Sequence, residues 1–372
     1  MGKRVLITGG AGFIGSHLAD ELLNFGYEVK PLDNLSEQVH GKNCIRPEYL
    51  NPGVELQIGD IRDPKAVKEA LQGVDTVYHF ASLVGVGQSM YEIVNYTDVN
   101  NLGTAVLMEA LIKNPVEKLV VASSMSIYGE GLYKDSKGEI YNATERSLDQ
   151  LKEGKWELFD KNQEVLTPYP TPESKVPNLS SVYALSKYDQ EKMCLMIGKA
   201  YNIPTVALRF FNVYGTRQAL SNPYTGVLAI FASRLLNNNA PLLFEDGYQQ
   251  RDFVNVRDLA HACRLAMETP EANGEVFNIG SGNRYSVREV ARSLSEVMNK
   301  SELAPIINNK YRVGDIRHCY ADISKAQQIL GFQPEVSFES GLLELAEWLT
   351  NQQAFDNVNE ASRQLASRGL TV

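Results

Sequence analysis

The chain has 372 residues, 44% hydrophobic and 22% charged, with a net charge of −9 and a pI near 5.3. That balance suits an ordinary globular protein of one large or two modest domains and argues against a general nucleic-acid-binding surface. No apolar run reaches membrane-spanning length, and the four cysteines and five histidines are scattered without metal-ligand spacing, so no metal is expected.

The first strand candidate, Arg4–Thr8, lies so near the first residue that no export leader fits before it. A cytoplasmic location with free thiols is the expectation. Short apolar runs at 28–32, 54–58, 76–80 and 119–123 follow, alternating with helical periodicity near 13–25, 64–72 and 95–113. Strands alternating with helices predict an α/β fold, a parallel sheet covered on both faces. A helix near 181–201 and a strand over 205–211 continue the pattern. Beyond Tyr214 the order is less regular. Helices are predicted near 226–236, 257–268, 286–299, 323–330 and 339–350, with short strands at 242–244, 252–256 and 276–279. The polar stretch 351–372 reads as a loosely held tail. Between Gly129 and Tyr183 runs a long polar insert, near 130–178, of the kind that forms a lid, a binding loop or a surface elaboration.

Gly9-Gly10-Ala11-Gly12-Phe13-Ile14-Gly15 follows the first strand and opens a helix. Glycines there permit a tight turn and let the backbone approach a pyrophosphate at the helix N-terminus. The second strand ends at Leu32-Asp33-Asn34, where a carboxylate can bond a ribose 2′-hydroxyl. Leu35, Ser36 and Glu37 follow it, and none would welcome a 2′-phosphate, so NAD is expected over NADP. Asp60 in Gly59-Asp60-Ile61 and the run Phe80-Ala81-Ser82 also end strands, on the edge where an open parallel sheet forms its ligand crevice.

Ser124 ends the fifth strand on that edge. Tyr183 and Lys187, four apart on a predicted helix, share one face. An ammonium beside a phenol favours the phenolate, which can take a proton from a sugar or alcohol hydroxyl. Alone, the pair would read as a packed tyrosine and a solvated lysine, and Ser124 as a turn cap. Behind a dinucleotide loop, the three together read as a catalytic set.

These residues resemble the extended short-chain dehydrogenase/reductase family, and within it the NAD-dependent sugar-nucleotide epimerases and dehydratases, over about residues 3–350. The resemblance implies a Rossmann-type, doubly wound parallel sheet over 1–212, with 252–280 returning to it. A smaller C-terminal α/β domain, 213–251 and 281–350, would bind a nucleoside-diphosphate sugar. It also implies a homodimer through the helices near 95–113 and 181–201, and a tightly bound NAD. Phe13 and Ile14 would join the dinucleotide loop, Asp33 and Asn34 the adenosine ribose, and Asp60 and Ile61 the adenine. Phe80, Ala81, Ser82, Asn100, Phe210 and Phe211 would line the cofactor. Asn212, Phe244, Arg251, Arg312 and Asp315 would hold the sugar nucleotide, with Phe244 stacked on its base. Cys319 would sit where the family tunes pocket width.

Family dehydratases carry Asp-Glu after the strand-end hydroxyl residue. Met125 and Ser126 stand there in this chain and cannot expel water, and no group for handling the C6 carboxylate that a decarboxylase needs is identified, which leaves 4-epimerisation through transient oxidation at C4. The stretches 85–92, 96–100 and 124–132, with the insert, are most similar to the dTDP-L-rhamnose 4-epimerases. UDP-glucose 4-epimerases share the core motifs, and an NDP-sugar 4-dehydrogenase or reductase is the next alternative. A non-catalytic nucleotide-binding module is disfavoured by the intact triad.

Overall fold

A computed structural model describes residues 2–142 and 145–371; residues 1, 143, 144 and 372 lie outside the description. Seven parallel strands form the central sheet: β1 (Arg4–Thr8), β2 (Glu28–Asp33), β3 (Gln57–Ile58), β4 (Thr76–His79), β5 (Lys118–Ser124), β6 (Thr205–Phe210) and β7 (Val276–Ile279). Their spatial order is 3-2-1-4-5-6-7. This is the doubly wound arrangement, with its switch between β1 and β4. β5 is buried along its whole length, as a central strand covered on both faces must be.

On one face, α1 (Phe13–Asn24) and a helix at Val256–Glu268 cover the sheet around Leu18, Leu22, Val120 and Leu208. On the other, α2 (Pro64–Ala70), α3 (Gly103–Lys113) and α4 (Val182–Ala200) pack on Leu6, Val77, Leu119 and Val121. A π-helical turn, Thr97–Leu102, leads into α3. No helix among the described residues is long and apolar enough to cross a membrane.

A separate core forms the C-terminal part. The helices α5 (Val227–Leu236), α6 (Val287–Val297) and α7 (Phe338–Leu349) enclose Phe231, Leu294, Leu342 and Leu345. The stretch after 350 departs from the loose tail expected of it. Its helix, α8 (Val358–Ser367), buries Ala361 and Leu365. An i,i+4 apolar pair gives a short helix one stripe to bury, and the polar average of the segment hides that pair.

The insert is folded too. Leu132–Lys134, Ile140–Asn142 and Thr167–Tyr169 pair as a three-stranded antiparallel sheet, over a small core of Tyr133, Leu158 and Leu166. It is locked to the C-terminal part by a buried charge cluster. Arg317, wholly buried, donates to Glu245 at 2.8 Å, to Asp246 at 2.6 Å and to Glu157. Arg146 of the insert reaches the other oxygen of Glu245 at 2.9 Å. Glu130 accepts from the Arg317 amide at 2.7 Å and from the Tyr133 hydroxyl at 2.7 Å. Removing one partner of such a cluster strands the rest in low dielectric, at a cost of about 3–5 kcal/mol. Arg317→Ala is therefore expected to lower the urea-unfolding stability by about 3 kcal/mol or more; a loss under about 1 kcal/mol would show that water, not Arg317, neutralises these carboxylates.

Candidate functional site

The carboxyl ends of the parallel strands open into one cavity of about 580 Å³. Its floor is the glycine loop. Gly9 sits at φ +71°, and a Cβ there would lie 2.9 Å from the Ala81 amide nitrogen at the end of β4. At Gly15 a Cβ would come within 2.5 Å of the Gly9 carbonyl oxygen, so helix α1 can start against the loop only without a side chain there. The Asp33 carboxylate accepts from the Ala11 amide at 3.0 Å and the Leu35 amide at 2.9 Å, which fixes it beside the loop.

Gly9, Gly12, Phe13, Ile14, Gly15, Asp33, Asn34, Ile61, Phe80, Ala81 and Ser82 all line this cavity, as do Phe210 and Phe211. Asp60 does not. Its carboxylate is turned to Asn34 at 3.0 Å and to the Arg62 guanidinium, which holds its proton affinity well below the usual carboxylate range. Asn100 does not line it either. It clasps the backbone of Leu83 through both ends of its amide, at 2.7 and 3.1 Å, and donates to Ser186 at 2.9 Å. It shapes the wall from behind.

Ser124, Tyr183 and Lys187 meet in the same cavity. Ser181 caps α4 by accepting from the Ala184 amide, and the Tyr183 amide donates to Ser89 at 3.0 Å, so the first turn is held at both sides. Burial pushes the Tyr183 phenol up, and a hydrogen bond with Ser124 opposes that push. Lys187 lines the cavity with Tyr183, one turn along the same helix. Burial drives its own ammonium down to about 7, with Cys194 and Glu191 pulling the other way. His79, bonded to Thr8 and Thr104 at 2.9 Å each, is lowered to about 3 by burial and by Lys187, and stays neutral.

Asn212, Phe244, Arg251, Arg312 and Asp315 line the far end. Arg312 pairs with Asp315 at 2.9 Å and lies 4.7 Å over the Phe244 ring. Arg251 donates to the backbone carbonyls of Gln250 and Arg317, at 2.9 Å each, and of Ile316, and has no carboxylate partner among the described residues. The side-chain oxygen of Asn212 is buried without a partner among the described residues. Cys319 is not in the wall. Its thiol is buried against Thr171 of the insert at 3.8 Å, because the insert occupies the space beside it.

Residues 5–151 and 157–280 match the sequence model of a family described as the NAD dependent epimerase/dehydratase family. The chain belongs to this family. It is 35% identical, over 94% of its length and 96% of the relative's, to dTDP-L-rhamnose 4-epimerase of Burkholderia thailandensis. It is 31% identical to UDP-N-acetyl-alpha-D-glucosaminuronate decarboxylase of Bacillus cytotoxicus, over 94% and 98%. Among solved structures, the UDP-glucose 4-epimerase of Thermus thermophilus in complex with NAD superposes with a TM-score of 0.73 at 31% identity, covering 94% of this chain and 99% of that one. NAD is the cofactor of the family, and the glycine loop with Asp33 beside it fits that group: Gly12 lines the cavity, where an added Cβ would meet only the Gly9 carbonyl oxygen at 3.3 Å and project into the open space, while Gly9 and Gly15 leave no room for a side chain within the turn.

Residue spacing gave no notice of one part of the family site. Gln38 donates to Gln88 and to Asn222, each at 3.1 Å, an amide cluster joining three cavity-lining loops. Amides on loops carry no periodicity, so no sequence signal marked them.

Lys187 also predicts a pH dependence. Its ammonium is ordinary in the unfolded chain, near 10.5, and depressed to about 7 when folded. Between those values the unfolded chain binds the extra proton, so stability rises with pH across the window and the full penalty applies below pH 7. Lys187→Met is expected to stabilise the protein by roughly a few kcal/mol at pH 6–7, with the gain fading toward pH 10. Urea titrations of both proteins at several pH values check this; a gain independent of pH would contradict it.

Proposed function

We propose that this chain is an NAD-dependent nucleoside-diphosphate-sugar 4-epimerase acting through Ser124, Tyr183 and Lys187, with a dTDP-linked 6-deoxyhexose such as dTDP-L-rhamnose as substrate. The observation that carries the reading is the convergence of Ser124, Tyr183 and Lys187 on the cavity that also holds the glycine loop, with Met125 and Ser126 as the adjoining wall. The carboxylates of that cavity are committed elsewhere, Asp33 to the loop amides and Asp315 to Arg312. Nothing beside Ser124 can expel water. That favours epimerisation over dehydration.

NAD, when bound, supplies a hydride acceptor next to the sugar C4 and afterwards the donor. Tyr183 takes the C4 hydroxyl proton and later returns it, acting as general base and then general acid. Its raised proton affinity suits the return step, and the Ser124 hydroxyl offsets that affinity for the outward one. The unpaired charge of Arg251 suits a diphosphate, and the partnerless oxygen of Asn212 can accept from a ligand hydroxyl. The Phe244 ring, capped by Arg312, offers a face for the base. The dTDP-L-rhamnose assignment rests on the similarity to the Burkholderia thailandensis enzyme and on the loop stretches 85–92 and 124–132.

We also infer a homodimer through α3 and α4 and the turn before α3. Ile93, Val94, Leu102, Leu185 and Met196 stand half or more exposed there, a poor arrangement for a free surface.

Purified protein given dTDP-L-rhamnose or UDP-galactose, with no cofactor added, is expected to form the 4-epimer, faster with the dTDP sugar. Bound NAD with no 4-epimer from either sugar would sink the reading, while faster turnover of UDP-galactose would move the chain to the UDP-glucose 4-epimerases. Tyr183→Phe is expected to cut turnover by about 10²–10⁴ and leave NAD bound. Leu102→Lys is expected to give a monomer in sedimentation; an unchanged mass would place any dimer elsewhere.

A further inference from the structure

We propose that the C-terminal segment 358–371 is a strap that positions the substrate-binding loops, with Leu365, Gln364 and Arg368 as its positioning residues. This rests on the reading of the cavity as a sugar-nucleotide site. None of these residues lines the cavity. They act on loops that do.

The strap touches three such loops, drawn from distant parts of the chain. Leu365, buried on α8, packs on Gly87, where an added Cβ would lie 3.2 Å from a Leu365 methyl. Gly87 and its neighbours Val86 and Gln88 line the cavity from the loop after β4. The Tyr91 hydroxyl, at the end of that loop, meets the Tyr224 hydroxyl at 2.7 Å. Gln364 accepts from both, at 3.2 and 3.3 Å, and so bridges the first loop to the cavity-lining Tyr224. Arg368 sits 4.3 Å over the Tyr91 ring, a cation–π contact that closes the joint from outside. Beyond it the chain turns and pairs with the third loop. The Leu370 carbonyl accepts from Val313 at 3.0 Å, and Thr371 bridges Arg312.

The base of the strap is fixed independently. Phe355 donates to Ser221 at 3.0 Å, Asn357 donates to the Ser221 carbonyl at 2.8 Å, and Asp356 pairs with Arg234. Force on α8 is therefore transmitted to the loops rather than lost in a free end. The first loop belongs to the sheet side of the cavity, and the other two to the C-terminal part. Their mutual placement is also tied by the amide cluster of Gln38, Gln88 and Asn222, by the close approach of Gly85 to Tyr224 and by Val86 beside Gly314. The strap closes the frame around the end of the site that holds Arg312.

By linkage, what holds the loops for a nucleotide is itself held by the nucleotide. In the full chain, Leu365→Asp is expected to detach α8, and Leu365→Met to keep it seated. Three measurements decide the matter. In Leu365→Asp, the dissociation constant for dTDP and for UDP is expected to rise about tenfold, within the range usual for coupled sites, with KM of the sugar nucleotide rising likewise, kcat within about twofold and co-purified NAD unchanged. Leu365→Met is expected to match the wild type. In the wild type, dTDP or UDP is expected to slow amide exchange across 358–371. Equal nucleotide affinity in wild type and Leu365→Asp, with tryptic cleavage at Arg363 showing the helix released, overturns the strap while leaving the site reading intact. A fall in kcat and NAD content along with affinity also overturns it, because that marks a general loss of structure. A wild type that binds neither nucleotide overturns the site reading and the strap with it.

Discussion

The site depends on how one buried carboxylate is shared. Glu191, wholly buried on α4 two turns below Tyr183, accepts both ends of the Arg209 guanidinium from β6, at 2.8 and 2.9 Å. Ser123 of β5 donates to the same carboxylate at 2.7 Å. An unpaired charge at this depth would be costly, so helix and both strands must keep one register. That register sets Ser124, the next residue of β5, opposite the first turn of α4. Arg209 goes on to the Tyr128 hydroxyl at 2.8 Å, tying in the turn that follows Ser124. The meeting of Ser124 and Tyr183 is thus the outer consequence of an inner ion pair.

A second group of buried charges shapes the other end. The cluster around Arg317 fastens the insert to the strand carrying His318 and to the turn at Glu245, immediately after Phe244. The insert does not enter the cavity; its nearest lining residue is Ser180, at its end. It works as a buttress on which the Phe244 and Arg312 walls are built, and it covers Cys319 in doing so. Of the roles its length suggests, lid, binding loop and surface elaboration, none alone describes the geometry. Its polar sequence serves both needs: Glu130 and Arg146 enter the charge cluster, while stretches such as 136–140 and 161–165 face solvent.

Much of this was legible in the chain because it obeys local rules. The alternation of apolar runs with 3.6-residue periodicity gives β1 to β7 within a residue or two at most ends. The third strand is the exception: 54–58 reads as a full strand, but only Gln57 and Ile58 pair with β2, at the sheet edge. The glycine loop, Asp33, Ser124 and the Tyr183/Lys187 spacing carry their chemistry in adjacent residues. Asp60 and Asn100 lie at the right places in sequence yet face away from the cavity. Arg62, two residues on, holds Asp60, and Leu83, far off in sequence, holds Asn100; only the second contact is hidden until the chain folds.

The sequence by itself determined the sheet, the cofactor loop and the placing of Tyr183 and Lys187 on one helix face, since each rests on contacts within a few residues. Only the tertiary structure decided the electrostatics of that pair. Tyr183 and Lys187 were set on one helix face by spacing, but burial pushes the lysine down to about 7 and the phenol up, and neither shift follows from spacing. It also decided the fate of residues 351–371, whose polar composition gave no hint of a helix seated on Gly87 and Tyr91. Desolvation and long-range pairing depend on what surrounds a residue in space, and neighbours in sequence do not report it.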